Sequence, residues 1–167
     1  PDDVLEHLAW ERKLGSEDGW LLADTNDKKI NLIRNAYEIK RYKGTTYAVE
    51  KALELVGLTG TVHPGHTPGS AFYTLTSNGE KITFVGDIIH AGAVQFPQPD
   101  VTITYDEDQN KAASVREQAF ADFVKNRDLI AAPHLPFPGI GYVTKGENGG
   151  YAWVPVTYTN RDASSVK

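Results

Sequence analysis

Histidine and aspartate are the residues of this sequence best placed to do chemistry. Four of the five histidines fall after residue 60, and three of these stand beside glycine or proline. His66 sits in His63-Pro64-Gly65-His66-Thr67-Pro68-Gly69-Ser70, which reads as a loop leaving a short strand. Asp87 closes the run Phe84-Val85-Gly86-Asp87, and His134 follows the apolar run Leu129–Ala132 in Pro133-His134-Leu135-Pro136-Phe137-Pro138-Gly139. Three ligand-type side chains on loops at strand ends are how an α/β protein assembles a site along one edge of a sheet. Imidazole and carboxylate are also the ligands zinc takes in hydrolytic sites, where one coordination position stays open for water. On residue types alone, a hydrogen-bonded surface histidine and a Gly-Asp turn account for the same pattern, so both readings stand at this point.

The elements that must position these residues divide into two styles. Up to residue 57 the pattern is helical. Asp2 and Asp3 can cap a helix carrying Leu5, Leu8 and Ala9, and the stretch from Gly15 to Gly19 interrupts it. A second helix is predicted over 27–43, with Ile30, Ile33 and Tyr37 on one stripe and Leu32, Ala36 and Ile39 beside it. Gly44 fits its stop, and Thr45 or Thr46 fits the cap of a third helix that buries Ala48, Val49, Ala52, Leu53 and Val56. From Thr61 the period shortens. Ala71–Thr76 and Lys81–Val85 read as strands joined through Ser77-Asn78-Gly79-Glu80, where Asn-Gly is a strong hairpin signal. Residues 91–110 look irregular, 111–127 helical with Val115, Ala119, Phe120, Phe123 and Val124 inward, and 129–132, 140–143 and 151–158 extended. The boundary between the two styles falls near 58–62.

Composition excludes several classes. The chain has 167 residues, a net charge of −5, and neither cysteine nor methionine. Disulfide frameworks, thiolate zinc fingers and a cysteine nucleophile are therefore out. Residues 1–60 hold 9 Lys+Arg against 11 Asp+Glu and residues 61–167 hold 8 against 11, so neither part is basic enough to neutralise nucleic-acid phosphates. No apolar run approaches the ~18–20 residues of a membrane span, and no export leader is expected. No membrane or nucleic-acid partner and a cytoplasmic location are expected. Without Met at position 1, the stretch is expected to be trimmed or cut from a longer frame.

Residues 61 to about 158 resemble the C-terminal half of a metallo-β-lactamase-fold hydrolase, near the small lactonase-like enzymes. The motifs are Pro64-Gly65-His66-Thr67-Pro68-Gly69-Ser70, Phe84-Val85-Gly86-Asp87 and His134-Leu135-Pro136-Phe137-Pro138-Gly139, in matching order and spacing. The resemblance implies His66 as a ligand of one metal site, Asp87 as the bridging carboxylate and His134 as a ligand of the second site. It implies His90 as a second-shell residue, zinc as the metal and Asp87 as the residue on which catalysis depends. It assigns no role to His63. The family's His-x-His-x-Asp-His loop does not occur here, and His7 is the only histidine before His63. A paired-metal hydrolase needs both ions held together, so catalysis by this chain alone is not expected.

Residues 1–58 carry a second resemblance. Leu8-Ala9-Trp10-Glu11, Ile33-Arg34-Asn35-Ala36-Tyr37-Glu38-Ile39 and Arg41-Tyr42-Lys43-Gly44-Thr45-Thr46-Tyr47-Ala48-Val49-Glu50-Lys51-Ala52-Leu53 are similar to phage tail protein I, a small P2-type baseplate component with a structural role. The combined expectation is an α/β (α+β) chain with two parts. A three-helix segment (1–58) packs on a metallo-β-lactamase-like half-domain (61–167) that carries an incomplete zinc site. The alternatives are a structural phage tail protein in a tail assembly, or a recombined or engineered chimera without evolved activity. Ala71, Tyr73, Leu75, Ile82 and Phe84, or their alternating neighbours, require a cover, because a wet apolar face costs about 25 cal/mol per Å². The helices, a second copy of the chain or a partner chain could supply it.

Overall fold

The computed structural model describes residues 2–65 and 70–158, which divide into two compact units. The described residues of the first unit are 2–62 and 73–81, and those of the second are 63–65, 70–72 and 82–158.

Three helices dominate the first unit: α1 (Asp2–Glu11), α2 (Asn26–Arg41) and α3 (Thr46–Leu55). Their ends follow local chemistry. The hydroxyls of Thr25 and Thr45 accept the backbone N–H of Lys28 and Ala48, so each supplies an N-cap. Gly44 takes a left-handed conformation (φ 87°) in the short turn between α2 and α3. The core is thin: Ala9, Leu14, Ala23, Leu32, Ala36, Ile39 and Val56 are buried. The inward stripe of α2 is Leu32, Ala36 and Ile39, while Tyr37 is 74% exposed. A helix of this length buries one stripe only, and the smaller Ala36 admits close neighbours where Tyr37 would not.

Asp18 lies in the short 3₁₀ turn Ser16–Asp18 and is 3% exposed. Burial by itself raises its pKa, but the Gly15 N–H at 3.0 Å and the Lys40 ammonium at 3.1 Å outweigh that and hold it below its ordinary 3.8. A carboxyl depressed in the folded state stabilises fully above its ordinary value and loses that contribution as pH falls through the lower folded value. Asp18→Asn is therefore expected to cost about 1–3 kcal/mol at neutral pH. Urea denaturation should show this difference closing as the pH is lowered through the acid range below 3.8.

The strands are β1 (Thr59–Pro64), β2 (Ala71–Ser77), β3 (Glu80–Phe84), β4 (Leu129–Ala131), β5 (Ile140–Lys145) and β6 (Tyr151–Pro155), in the sheet order β1-β2-β3-β4-β5-β6. Asn78 and Gly79 both have positive φ (50° and 83°), as a tight right-twisted hairpin turn demands. β3 and β4 run parallel, with Ile82 opposite Leu129 and Phe84 opposite Ala131; β4–β5 and β5–β6 are antiparallel. The crossover from β3 to β4 carries a short helix, α4 (Gly92–Gln95), inside the stretch expected to be irregular, and then α5 (Gln109–Asn126).

The second unit's core joins Phe72, Ile130 and Val143 of the sheet, and Val85 just after β3, to Ala119, Phe120 and Phe123 of α5, with Phe96 beside them. The buried strand residues are thus the alternating neighbours Phe72 and Thr83, because Phe72 meets Phe123 of α5 at 6.5 Å between ring centroids. On the opposite face Phe84, Tyr142 and Val154 remain exposed. Along α5 the fully inward residues include Ala112 and Arg116, whereas Val115 and Val124 are only partly buried. Among the described residues no helix is long and apolar enough to cross a membrane.

Candidate metal centre

Parallel strands send their C-terminal ends to the same sheet edge, so the residues that follow two neighbouring parallel strands meet there. β3 ends at Phe84, and a 3₁₀ turn, Gly86–Ile88, presents Asp87; Gly86 has φ 54°, which a side chain would make costly. β4 ends at Ala131, and His134 follows in a loop closed by the Leu135 N–H to Ala132 O and the Gly139 N–H to Pro136 O. The Val85 N–H donates to Ala131 O at 3.0 Å, carrying the strand pairing up to the site.

The result is a cluster. Asp87, His90 and His134 each offer one ligand atom, and these atoms lie within 4.8 Å of one another. His134 Nε2 is 3.1 Å from Asp87 Oδ1, and the His90 and His134 rings stack with centroids 4.6 Å apart. Asp87 and His134 are exposed and His90 is half-buried, so an ion could enter from solvent. Zinc–ligand bonds of 2.0–2.2 Å in a tetrahedron put ligand atoms about 3.4 Å apart, so small side-chain rotations would bring this set to coordinating distance. Two imidazoles and a carboxylate are a donor set that suits zinc.

Among the described residues, His7 and His63 lie on other elements. His66 lies outside the described residues. His63 is exposed on β1. His7 is exposed on α1, 3.4 Å from Glu11 one turn away. His90, expected in the second shell, stands with Asp87 and His134 because the turn after β3 folds it back toward them. Beside His134 opens a cavity of about 490 Å³ lined by Phe96, Leu135, Pro136, Tyr151 and Trp153.

Two buried polar residues support the turn that bears Asp87 and His90, and neither was singled out from sequence. Gln95 Oε1 accepts the backbone N–H of His90 (2.8 Å) and of Ala91 (3.0 Å). Arg116 donates from Nε to Ile88 O at 2.6 Å. Burial lowers the Arg116 pKa, an effect that Asp106, 3.5 Å away, opposes. The signal for Arg116 was present in its spacing: it sits four residues after Ala112 and four before Phe120, on the apolar stripe of α5.

Comparison with known proteins returns both resemblances. A family model described as Phage tail protein (Tail_P2_I) matches residues 1–122, well past the motifs that end near residue 58. Among curated proteins no sequence matches. One similar solved structure is the hydrolase AbOPH of the β-lactamase superfamily, with 33% identity, a TM-score of 0.56, and coverage of 81% of this chain and 49% of that one. Another is AidC, a dizinc quorum-quenching lactonase in complex with a product N-hexnoyl-L-homoserine, with 26% identity, a TM-score of 0.57, and coverage of 79% and 44%. The chain thus spans about half the length, or less, of these structures. Its mixed α+β architecture, with a six-stranded sheet, has β-lactamase-fold hydrolases as structural neighbours.

Proposed function

We propose, for a chain that belongs to the phage tail protein (Tail_P2_I) family, that its second unit carries part of a metal-dependent hydrolase site for an ester, lactone or amide. The observation that carries this reading is the convergence of Asp87, His90 and His134 at the ends of β3 and β4. Asp87 and His134 would hold zinc, His66 is the further ligand suggested by its motif, and His90 lies close enough to join them. A bound zinc ion would supply Lewis acidity and activate water near neutral pH. The chain's own part is to fix the ligands on two strand ends and to offer an apolar cavity beside His134, where Phe96, Leu135 and Trp153 would keep water from the apolar part of a substrate. The sequence holds no His-x-His-x-Asp-His loop, so a second ion lacks its usual ligands and catalysis would need a partner chain to complete the site.

Calorimetric titration with zinc tests this reading. The expected affinity is micromolar at best, because an open and partial ligand set has poorer geometry than a closed one. It should weaken as the pH falls, because protons compete with the metal for imidazole and carboxylate donors. No zinc binding at neutral pH would overturn the reading.

The match over residues 1–122 favours a second reading, in which the chain is a structural component of a phage tail assembly. Co-assembly with tail components that is indifferent to Asp87→Ala, together with no zinc binding, would favour it over the first.

A further inference from the structure

The turn after β3 has little regular structure to hold it. Gly86–Ile88 is a single 3₁₀ turn, and Ile89 is already extended (φ −126°, ψ 117°) before α4 begins at Gly92. Its backbone polar groups still need partners where they are buried. Two side chains provide them, and both are fully buried at 0% exposure: Gln95 and Arg116.

We infer that Gln95 and Arg116 are positioning residues that lock the 86–91 turn in the shape that brings Asp87 and His90 to His134. Gln95 Oε1 accepts the N–H of His90 and of Ala91, while its Nε2 donates to Val101 O at 3.2 Å. Arg116 Nε donates to Ile88 O, and its Nη1 donates to Pro99 O at 2.9 Å and to Val101 O at 2.8 Å. Val101 O thus accepts from both side chains and joins them into one brace. Asp106 closes the far end: its Oδ2 lies 3.5 Å from Arg116 Nη2 and accepts the Ile103 N–H at 3.0 Å. The brace spans α4, α5 and the 97–108 segment, and its two free arms grip the backbone on either side of Ile89. Apolar side chains of similar volume would often give a buried site equal stability, so what this polar set supplies is a defined shape for the turn.

The consequence for metal binding rests on the site reading above, whereas the effect on the turn can be read without metal. In the metal-free full chain, an NOE between the ring protons of His90 and His134 is expected from their 4.6 Å stacking. Gln95→Leu should abolish it and lower zinc affinity about 10–100-fold, the range typical of outer-shell partners. Gln95→Glu keeps an acceptor for both N–H groups but loses the donor to Val101 O, and should retain the NOE with a smaller loss of zinc affinity than Gln95→Leu. Val143→Ala, a core change elsewhere in the same unit, should lower thermal stability and leave the NOE intact. If Gln95→Leu does not fold, Arg116→Lys, which loses the planar fork, is read in the same way and should also lose the NOE. The inference is overturned if the NOE is absent from the wild-type chain, survives in the Gln95 or Arg116 variant, or is lost equally in Val143→Ala at matched stability. Should the NOE respond as expected while the wild-type chain binds no zinc, the brace stands and the metal reading falls.

Discussion

Asp87→Ala is expected to lower zinc affinity by more than about 100-fold, beyond the range for an outer-shell residue. The carboxylate is the one anionic member of the cluster and already lies 3.1 Å from His134 Nε2. Removing it leaves two neutral imidazoles, which attract a dication far less and cannot offset the loss of its hydration. Hydrolysis should follow binding. The chain has no cysteine to act as a nucleophile, and in the metal-site reading turnover depends on the metal. An assay over lactone, thioester and phosphoester substrates, with zinc and with partner chains added, should give activity that disappears in Asp87→Ala. Activity should persist in His7→Ala, whose side chain pairs with Glu11 on α1. Zinc-independent turnover that survives Asp87→Ala would remove the metal from the reaction.

The largest effect on stability is expected at Phe120. Its ring is 0% exposed, stacks on Phe96 at 5.1 Å and meets Tyr151 edge-on at 5.3 Å. Phe96 in turn stacks on Trp153 at 5.7 Å, so one ring column ties α5 to the residue that ends α4 and to β6. Truncating a ring at the centre of such a column removes its transfer energy and leaves a cavity that rigid aromatic neighbours cannot close. Phe120→Ala should therefore cost about 3–5 kcal/mol, a large share of the roughly 5–15 kcal/mol by which domains are stable. Tyr105→Ala, at a residue 81% exposed, should stay within about 0.5 kcal/mol. Urea midpoints of the two variants against wild type would check both values.

What could be read in the sequence follows the range of the forces involved. Caps and turns are local: Thr45 before α3, Gly44 after α2 and the Asn78-Gly79 hairpin each act within a few residues and were legible. Asp87 and His134 were legible as a pair because strand-end residues of an α/β layer share an edge, whichever strands intervene. The part His90 takes in the cluster is less legible, because the backbone on either side of Ile89 bonds to Gln95 and Arg116, which lie outside the turn. The burial of Arg116 depends on distant partners, since a guanidinium enters an apolar stripe only when acceptors await it, and Pro99 O and Val101 O come from a segment outside α5. α4 escaped for a related reason: four residues from Gly92 to Gln95 are too few to show a helical period. The role of His66 rests on its motif alone, since that residue lies outside the described residues.

The parallel pairing of β3 with β4 also carries a kinetic consequence. Ile82 and Leu129 can meet only after the chain between them, α4 and α5 included, has been brought round. Hairpins and helices form from near neighbours in microseconds, but closing so long a loop spends chain entropy before any contact rewards it. Asp87 and His134 flank that closure, one just beyond each strand. Asp87 and His134 are therefore expected to come together late in folding, and partly folded chains would present scattered imidazoles and carboxylates with little hold on an ion. In a refolding experiment with cobalt, the visible absorbance of the coordinated metal should lag behind the recovery of helical signal, and the lag would time the moment at which β4 docks on β3.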